Sequence, residues 1–160
     1  MSVYTPFAEA PPSEVEWEDL LVRYELGPRA LRVALDDVED AGDADGEAAL
    51  RVGDLLRALV VNELLVARLF SAMRDGRPVD GAPRIEMMAS TPHAAYARYA
   101  ELRGRNFAAV QRRGIEVWAW RAAAPGGGAV TAHQLILAST ALDGETLAGI
   151  RQAPRGAGAC

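Results

Sequence analysis

Lysine is absent from this sequence, and cysteine and histidine are nearly so. All 17 basic residues are arginine, and they face 22 acidic residues, which gives a net charge of -5. This acidic balance disfavours nucleic acid as a partner, because nucleic-acid binding depends on positive charge matched to phosphates. The one cysteine, Cys160, cannot form an internal disulfide, so nothing calls for an oxidising compartment.

The sequence also lacks a long apolar run. Its most apolar stretch, residues 55–70, is interrupted by Arg57, Asn62, Glu63 and Arg68, whereas a membrane-spanning helix needs about 20 mostly apolar residues. The first residues contain neither the basic nor the apolar region of a signal peptide. We therefore expect no membrane partner and a cytoplasmic location.

Common catalytic signatures are missing as well. The sequence contains no phosphate-binding glycine loop before a helix, no GxSxG, no paired CxxC and no HExxH. Any catalytic activity must therefore depend on residues that do not belong to one of these short motifs.

Helix-start signals stand out against these absences. After an extended arm over residues 1–12 with three prolines, Ser13 and Glu16 form a capping-box pattern, which predicts that helix 1 begins here. Apolar residues then recur every three or four positions to Val38. Gly27-Pro28 falls within this pattern, so we expect a kink or a short break there.

The second helix is predicted over residues 50–73, after an acidic, solvated connection at residues 36–47. It is apolar on nearly all sides, so it should be the most buried helix. A cation, then Gly76, then Pro78 predict its end.

Two further capping patterns open the remaining helices. Thr91-Pro92 predicts a helix to about Arg113 with its arginines mostly outside, and Thr131 with Gln134 predicts a helix to about Gln152. Between them, residues 114–124 fit an extended piece or a short helical turn. Trp118 and Trp120 fit either a cover over one end of the bundle, which we favour, or a subunit interface. Residues 153–160 are expected to form a tail.

Four amphipathic helices without a convincing strand pattern predict an all-α fold, an up-down four-helix bundle over residues 13–152. The order and spacing of its landmarks resemble the DinB/YfiT superfamily of bacterial four-helix proteins across roughly residues 14–152. The segments that carry this resemblance are residues 24–31, residues 52–59 with Glu63, residues 75–78, residues 128–131 and residues 142–151.

The resemblance implies a metal site that this chain has lost. Members of that family carry one histidine on helix 2 and two on helix 4, and three imidazoles can hold one divalent ion. The matching positions here are Ala58 (or Arg57, one residue earlier), Leu142 and Thr146, and none of these is a good metal ligand. We therefore predict no metal and no cofactor.

The faces that hold these positions also hold other polar residues. A small pocket could form between helix 2 and helix 4, or the same residues could pack the core closed. Glu63, Asp143 and Glu145 could supply oxygens to a harder ion, although Glu63 is expected to point partly away from the predicted site. The candidate ligand-binding residues are Asp54, Ala58, Asn62, Glu63, Ser139, Leu142 and Thr146.

Three hypotheses for function follow from these residues and the resemblance. The first is a metal-free protein that binds a small molecule or a protein partner without catalysis. The second is a metal-dependent enzyme of that superfamily, a thiol S-transferase or hydrolase, with an altered site. The third is a homodimer, which the resemblance implies. His93 and His133 are predicted in the first turns of helices 3 and 4, as terminal histidines and not catalytic ones.

Overall fold

The fold is all-α apart from one short ribbon, in a computed structural model that describes residues 12–40, 46–77, 91–123 and 128–153. Four helices, a 3₁₀ turn and two strands make up these ranges: α1 Glu14–Asp40, α2 Gly46–Asp75, α3 Pro92–Gln111, the 3₁₀ turn Ile115–Ala119, β1 Arg121–Ala123, β2 Ala129–Thr131 and α4 Ala132–Gln152. The predicted arm, most of the tail with Cys160, and the centre of the acidic connection lie outside the described residues.

The three predicted helix starts are confirmed by their caps. The Ser13 backbone N–H donates to Glu16 Oε2 at 2.7 Å, and the Glu16 N–H donates to Ser13 Oγ at 3.2 Å. Thr91 accepts from the Ala94 N–H at 3.2 Å, and a second capping box joins Thr131 to Gln134. These short-range bonds satisfy N–H groups that the first helical turn leaves without partners.

The expected kink at Gly27-Pro28 does not break the helix: α1 continues through Pro28 to Asp40. A helical proline removes the donor to the carbonyl four residues earlier, which here is Tyr24. That carbonyl instead accepts a hydrogen bond at 2.8 Å from Nη1 of Arg103 on α3. A tertiary contact therefore replaces the missing local one.

The simple up-down alternation is corrected by the packing of the helices. Apolar residues from the first halves of α2 and α3 pack against the second half of α1. Apolar residues from the second halves of α2 and α3 pack against the first half of α1. Thus α2 and α3 run parallel to each other, while α1 and α4 run in the opposite direction. Around the bundle the order is α1, α3, α2, α4, so α1 lies diagonally across from α2 and α3 from α4.

The undecided segment after α3 contains both of its predicted alternatives. The 3₁₀ turn Ile115–Ala119 leads into β1, which pairs antiparallel with β2 through Ala122 opposite Val130. The absence of strands expected from the sequence is therefore wrong for these six residues, whose pairing follows no apolar alternation. Trp118 and Trp120 are half-buried against the core here, as predicted.

The core consists of two apolar halves. One half contains Leu31, Leu56, Leu59 and Ile150, and the other contains Trp17, Leu69, Val110 and Ile136. Buried polar residues of α2, α3 and α4 lie between the two halves along the sequence: Glu63, Arg103, Asn106, Ser139, Asp143 and Thr146. Within the described ranges, no helix is long and apolar enough for a membrane crossing.

Both histidines lie in first helical turns, as predicted. His93 is exposed, while His133 is half-buried with its ring centroid 6.1 Å from that of Trp17. Burial lowers the pKa of His133 below 6.5, and the nearby Glu16 opposes this effect in part.

This burial predicts a loss of stability in mild acid. Because the pKa of His133 is lower in the folded state, the unfolded chain binds more protons as the pH falls through 6.5, which favours unfolding. We expect His133→Gln to lose less stability than the wild type between about pH 7 and pH 5, in chemical unfolding followed by circular dichroism. His93→Gln is the exposed control, and equal pH dependence in all three proteins would contradict the prediction.

Candidate functional site

A buried arginine lies at the centre of the bundle. Arg103 of α3 is 1% exposed, and its guanidinium contacts the other three helices. Nε donates to Glu63 Oε1 at 2.9 Å, while Nη1 and Nη2 donate to the two carboxylate oxygens of Asp143 at 2.7 and 2.9 Å. Nη1 also reaches the Tyr24 carbonyl. The prediction that the arginines of this helix lie outside is therefore wrong for Arg103.

Glu63 of α2 is fully buried and accepts hydrogen bonds from several helices. Its Oε2 accepts from the Tyr24 hydroxyl and from Asn106 Nδ2, both at 2.8 Å. Asn106 also donates to the Glu63 backbone carbonyl at 3.0 Å. A buried carboxylate needs such donors, because it has lost its hydration. Glu63 points into the centre of the bundle, not partly away from it as expected.

Asp143 of α4 completes the group. Besides its two-pronged contact with Arg103, its Oδ1 accepts from the Tyr99 hydroxyl at 2.8 Å. Planar two-pronged pairing of this kind is the geometry in which arginine binds carboxylates most strongly. The guanidinium carbon also lies 4.0 Å from the ring centroid of Tyr24 and 5.1 Å from that of Tyr99. We call Tyr24, Glu63, Tyr99, Arg103, Asn106 and Asp143 the central network.

Gly27 gives Asp143 the space to reach Arg103. A Cβ built at Gly27 would lie 2.3 Å from Asp143 Oδ2 and 3.0 Å from Arg103 Nη1. Any side chain at position 27 would therefore displace a buried ion pair. Together with the carbonyl that Pro28 leaves free, Gly27-Pro28 provides both the room and an acceptor for the guanidinium.

Burial and mutual charge shift the acid–base equilibria of the network. Burial, aided by the Glu63 charge, raises the pKa of Tyr24 well above its usual value, and burial likewise raises the pKa of Tyr99. Burial alone would lower the pKa of Arg103, but Glu63 and Asp143 raise it overall. Burial raises the pKa of Asp143 against the opposing effect of Arg103. The tyrosines stay neutral donors and the arginine stays charged.

The structure brings together only some of the predicted site residues. Asn62 Nδ2 donates to Ser139 Oγ at 2.9 Å, which links α2 to α4 beside Glu63. Thr146 is buried and Leu142 half-buried, whereas Asp54 and Ala58 are exposed, and Asp54 pairs with Arg57 on the helix surface. The α2 positions of the expected pocket therefore point in different directions.

Four members of the central network were not predicted as site residues: Tyr24, Tyr99, Arg103 and Asn106. A signal for three of them is present in α3, because Tyr99, Arg103 and Asn106 are spaced i, i+4, i+7 on one helical face. The apolar residues Ala95, Leu102 and Val110 of the same helix are also buried. Polar residues embedded in an apolar face indicate a buried polar contact, but they do not name its partners.

A groove between α1 and α4 leads from the surface to Asp143. It has a volume of about 530 Å³ and is lined mainly by apolar side chains. Gly27, Gly144 and Asp143 line it, together with the exposed Arg23. Asp143 is 7% exposed and is the one carboxylate among the lining residues. The groove is thus mainly apolar, and its polar lining residues are Arg23, Thr140 and Asp143, the last of which belongs to the central network.

The described residues contain no cluster of three or more histidine, cysteine, aspartate or glutamate side chains that could hold a metal ion. Glu63 and Asp143, the carboxylates considered for a harder ion, both bind Arg103. Comparisons with protein-family models, with curated proteins and with solved structures found no match for this chain.

Gly27→Ala is expected to destabilise the protein by about 1–3 kcal/mol, because the new methyl group overlaps Asp143 in a packed interior. Gly144→Ala is the matched control, since nothing lies within 4 Å of a Cβ there and alanine favours a helix by about 0.5–1 kcal/mol. Urea unfolding of both variants tests this difference. Equal stability of the two variants would show that Asp143 moves aside at little cost.

Arg103→Met is expected to lower the free energy of unfolding by about 3–5 kcal/mol, because it leaves two buried carboxylates without their cation. Arg105→Met on the same helix removes an exposed pair with Glu101, so it should cost less than about 1 kcal/mol. Chemical unfolding measures both changes. A similar small loss in the two variants would mean that the network contributes little to stability.

Proposed function

We propose that this chain binds a small molecule with an apolar body and an amine end in the groove between α1 and α4, without catalysis and without a metal ion. The observation that carries the proposal is the position of Asp143 along a mainly apolar groove of about 530 Å³, in which Arg23 and Thr140 are the other polar lining residues. Sites for small molecules combine this range of volumes with few, well-placed polar groups.

The choice of an amine follows from the hydrogen bonds of Asp143. Oδ1 accepts from both Tyr99 and Arg103, whereas Oδ2 accepts from Arg103 alone within the part of the chain that the structure describes. A carboxylate oxygen can accept two hydrogen bonds, and Oδ2 is the oxygen next to Gly27, which lines the groove. The central network contains two carboxyl groups and one guanidinium, which favours a further positive charge beside the buried Asp143. The other cation at the groove, Arg23, is exposed, so solvent and salt screen its charge.

Membership of the DinB/YfiT-like bundles is part of the same proposal. Its support is the order of the sequence landmarks and the four-helix, all-α fold. The alternative, a metal-dependent S-transferase or hydrolase with an altered site, has less support because Glu63 and Asp143 are engaged by Arg103. We further propose a cytoplasmic location and a homodimer, which the exposed apolar residues of α1 support.

Calorimetric titration with hexylammonium and with hexanoate tests the binding proposal. The two probes share an apolar chain and differ in the charge of the end group. We expect hexylammonium to bind at least about ten-fold more tightly, since Asp143 attracts the cation and repels the anion. Equal binding of both would leave the groove as a site but remove the role of Asp143.

Two tryptophan substitutions on α4 provide a matched pair. Ala141 is exposed and lines the groove, so Ala141→Trp should block hexylammonium binding. Glu145 is exposed and is not among the groove residues, so Glu145→Trp should leave binding unchanged. If both variants still bind hexylammonium, or if the wild type does not bind it, the proposed site is wrong.

A further inference from the structure

Helix α1 carries an apolar stripe on its outer surface. Of the six exposed large hydrophobic residues in the described part of the chain, four belong to α1: Val15 at 67%, Val22 at 51%, Leu26 at 43% and Val33 at 58% exposure. With about 100° per residue, these four positions lie within about 20° of one line along the helix. We call them the α1 stripe. Single exposed hydrophobics are ordinary, but an aligned set indicates a contact surface.

The α1 stripe faces away from the core of its own chain. Tyr24 and Leu31 are fully buried on the opposite side of α1. The other two exposed hydrophobics, Leu50 and Val61, lie on α2 and are separated by Asp54 and Arg57, which pair with each other. Among the described helices, α1 is therefore the one with four aligned exposed apolar residues, which extend about 27 Å from Val15 to Val33 at 1.5 Å per residue.

The pattern of the stripe is the same in both chain directions. Val22 and Leu26 each lie two residues from Tyr24, and Val15 and Val33 each lie nine residues from it. An antiparallel copy of α1, related by a two-fold axis at the level of Tyr24, would place Val22 against Leu26 and Val15 against Val33. A two-fold interface requires this kind of self-complementarity, because the same patch is used twice.

The charges beside the stripe follow the same symmetry. Asp19 lies five residues before Tyr24, and Arg29 lies five residues after it, both within about 40° of the stripe. In the antiparallel pair, Arg29 of one copy lies on the same flank as Glu18 of the other and at nearly the same level, while Asp19 lies at that level on the opposite flank. Arg23 and Glu25 lie on the flanks, where their charged ends reach solvent. Opposite charges next to an apolar seam set the partner and the orientation of paired helices.

We infer that a second copy of this chain docks on the α1 stripe, with the two α1 helices antiparallel and centred on Tyr24. This inference rests on the homodimer proposed above and assigns its surface, register and orientation. The two-fold arrangement buries all four stripe residues of each copy and pairs Arg29 of each copy with Glu18 of the other.

Cross-linking between single-cysteine chains tests the register. In a Cys160→Ser background, Val15→Cys and Val33→Cys chains are mixed and treated with a short bismaleimide. We expect a cross-linked dimer from the mixture. Neither variant alone should cross-link, because two copies of residue 15 would lie about 27 Å apart along the pair. Cross-linking of the Val15→Cys chain with itself would indicate a parallel or shifted pair and would overturn the inference.

Charge exchange provides an independent readout. Arg29→Glu is expected to weaken the dimer about ten-fold, as measured by analytical ultracentrifugation. A triple variant that combines Arg29→Glu with Glu18→Arg and Asp19→Arg is expected to regain the affinity. Val22→Asp should abolish the dimer, whereas Val61→Asp, an exposed change on α2, should not.

The outcomes separate the two levels of the proposal. If a dimer forms but gives no Val15–Val33 cross-link, and Val22→Asp leaves it intact, the homodimer proposal stands and the inference about the α1 stripe is overturned. A wild-type chain that remains monomeric at all accessible concentrations overturns both. A cross-linked mixture, loss with Val22→Asp and recovery in the charge-exchanged variant establish the antiparallel α1 pair.

Discussion

The positive charge of Arg103 is the constraint on which the rest of this bundle depends. A guanidinium that is 1% exposed cannot remain without compensation, because removing it from water costs far more than one hydrogen bond returns. Each of the other helices supplies a partner for the guanidinium at the same level of the bundle. Helix α1 provides the Tyr24 backbone carbonyl and its ring, α2 provides Glu63, and α4 provides Asp143. The relative positions of four helices are thus tied to the reach of one side chain. Apolar contacts alone tolerate sliding between helices, whereas these directional bonds do not.

This constraint also links the interior to the surface. Asp143 belongs to the central network: one of its oxygens accepts two hydrogen bonds, and the other lies next to Gly27, which lines the groove. A change at the groove therefore affects a residue that holds the core together, and ligand binding and stability are expected to be coupled. Helix α1 carries the groove on one flank and the α1 stripe on its outer surface, so the proposed ligand and the proposed second copy both contact Leu26.

Much of the fold follows from local sequence, and most of the site does not. The starts of α1, α3 and α4 could be predicted because a capping residue bonds to a backbone group only three residues away. Arg103 shares the buried face of α3 with Tyr99 and Asn106, but its charged partners lie on other helices, so the sequence could not name them. The direction of α2 relative to α3 also depends on long-range packing. Asn62, Glu63 and Ser139 were identified because the resemblance singled out their stretches of α2 and α4, but the hydrogen bonds that join them required the tertiary structure.

Pro28 and Arg103 depend on each other, although they are far apart in the sequence. A proline within a helix ordinarily costs stability because one carbonyl loses its donor. Here that carbonyl belongs to Tyr24, and it accepts a hydrogen bond from Nη1 of Arg103. The hydrogen bond that α1 loses at Pro28 therefore leaves an acceptor for the buried charge. If position 28 regained an N–H, the local helix and the distant guanidinium would compete for the same oxygen. Residues 28 and 103, which are 75 positions apart, therefore form an epistatic pair: the effect of changing one depends on the identity of the other, and homologous bundles should retain or lose the two together.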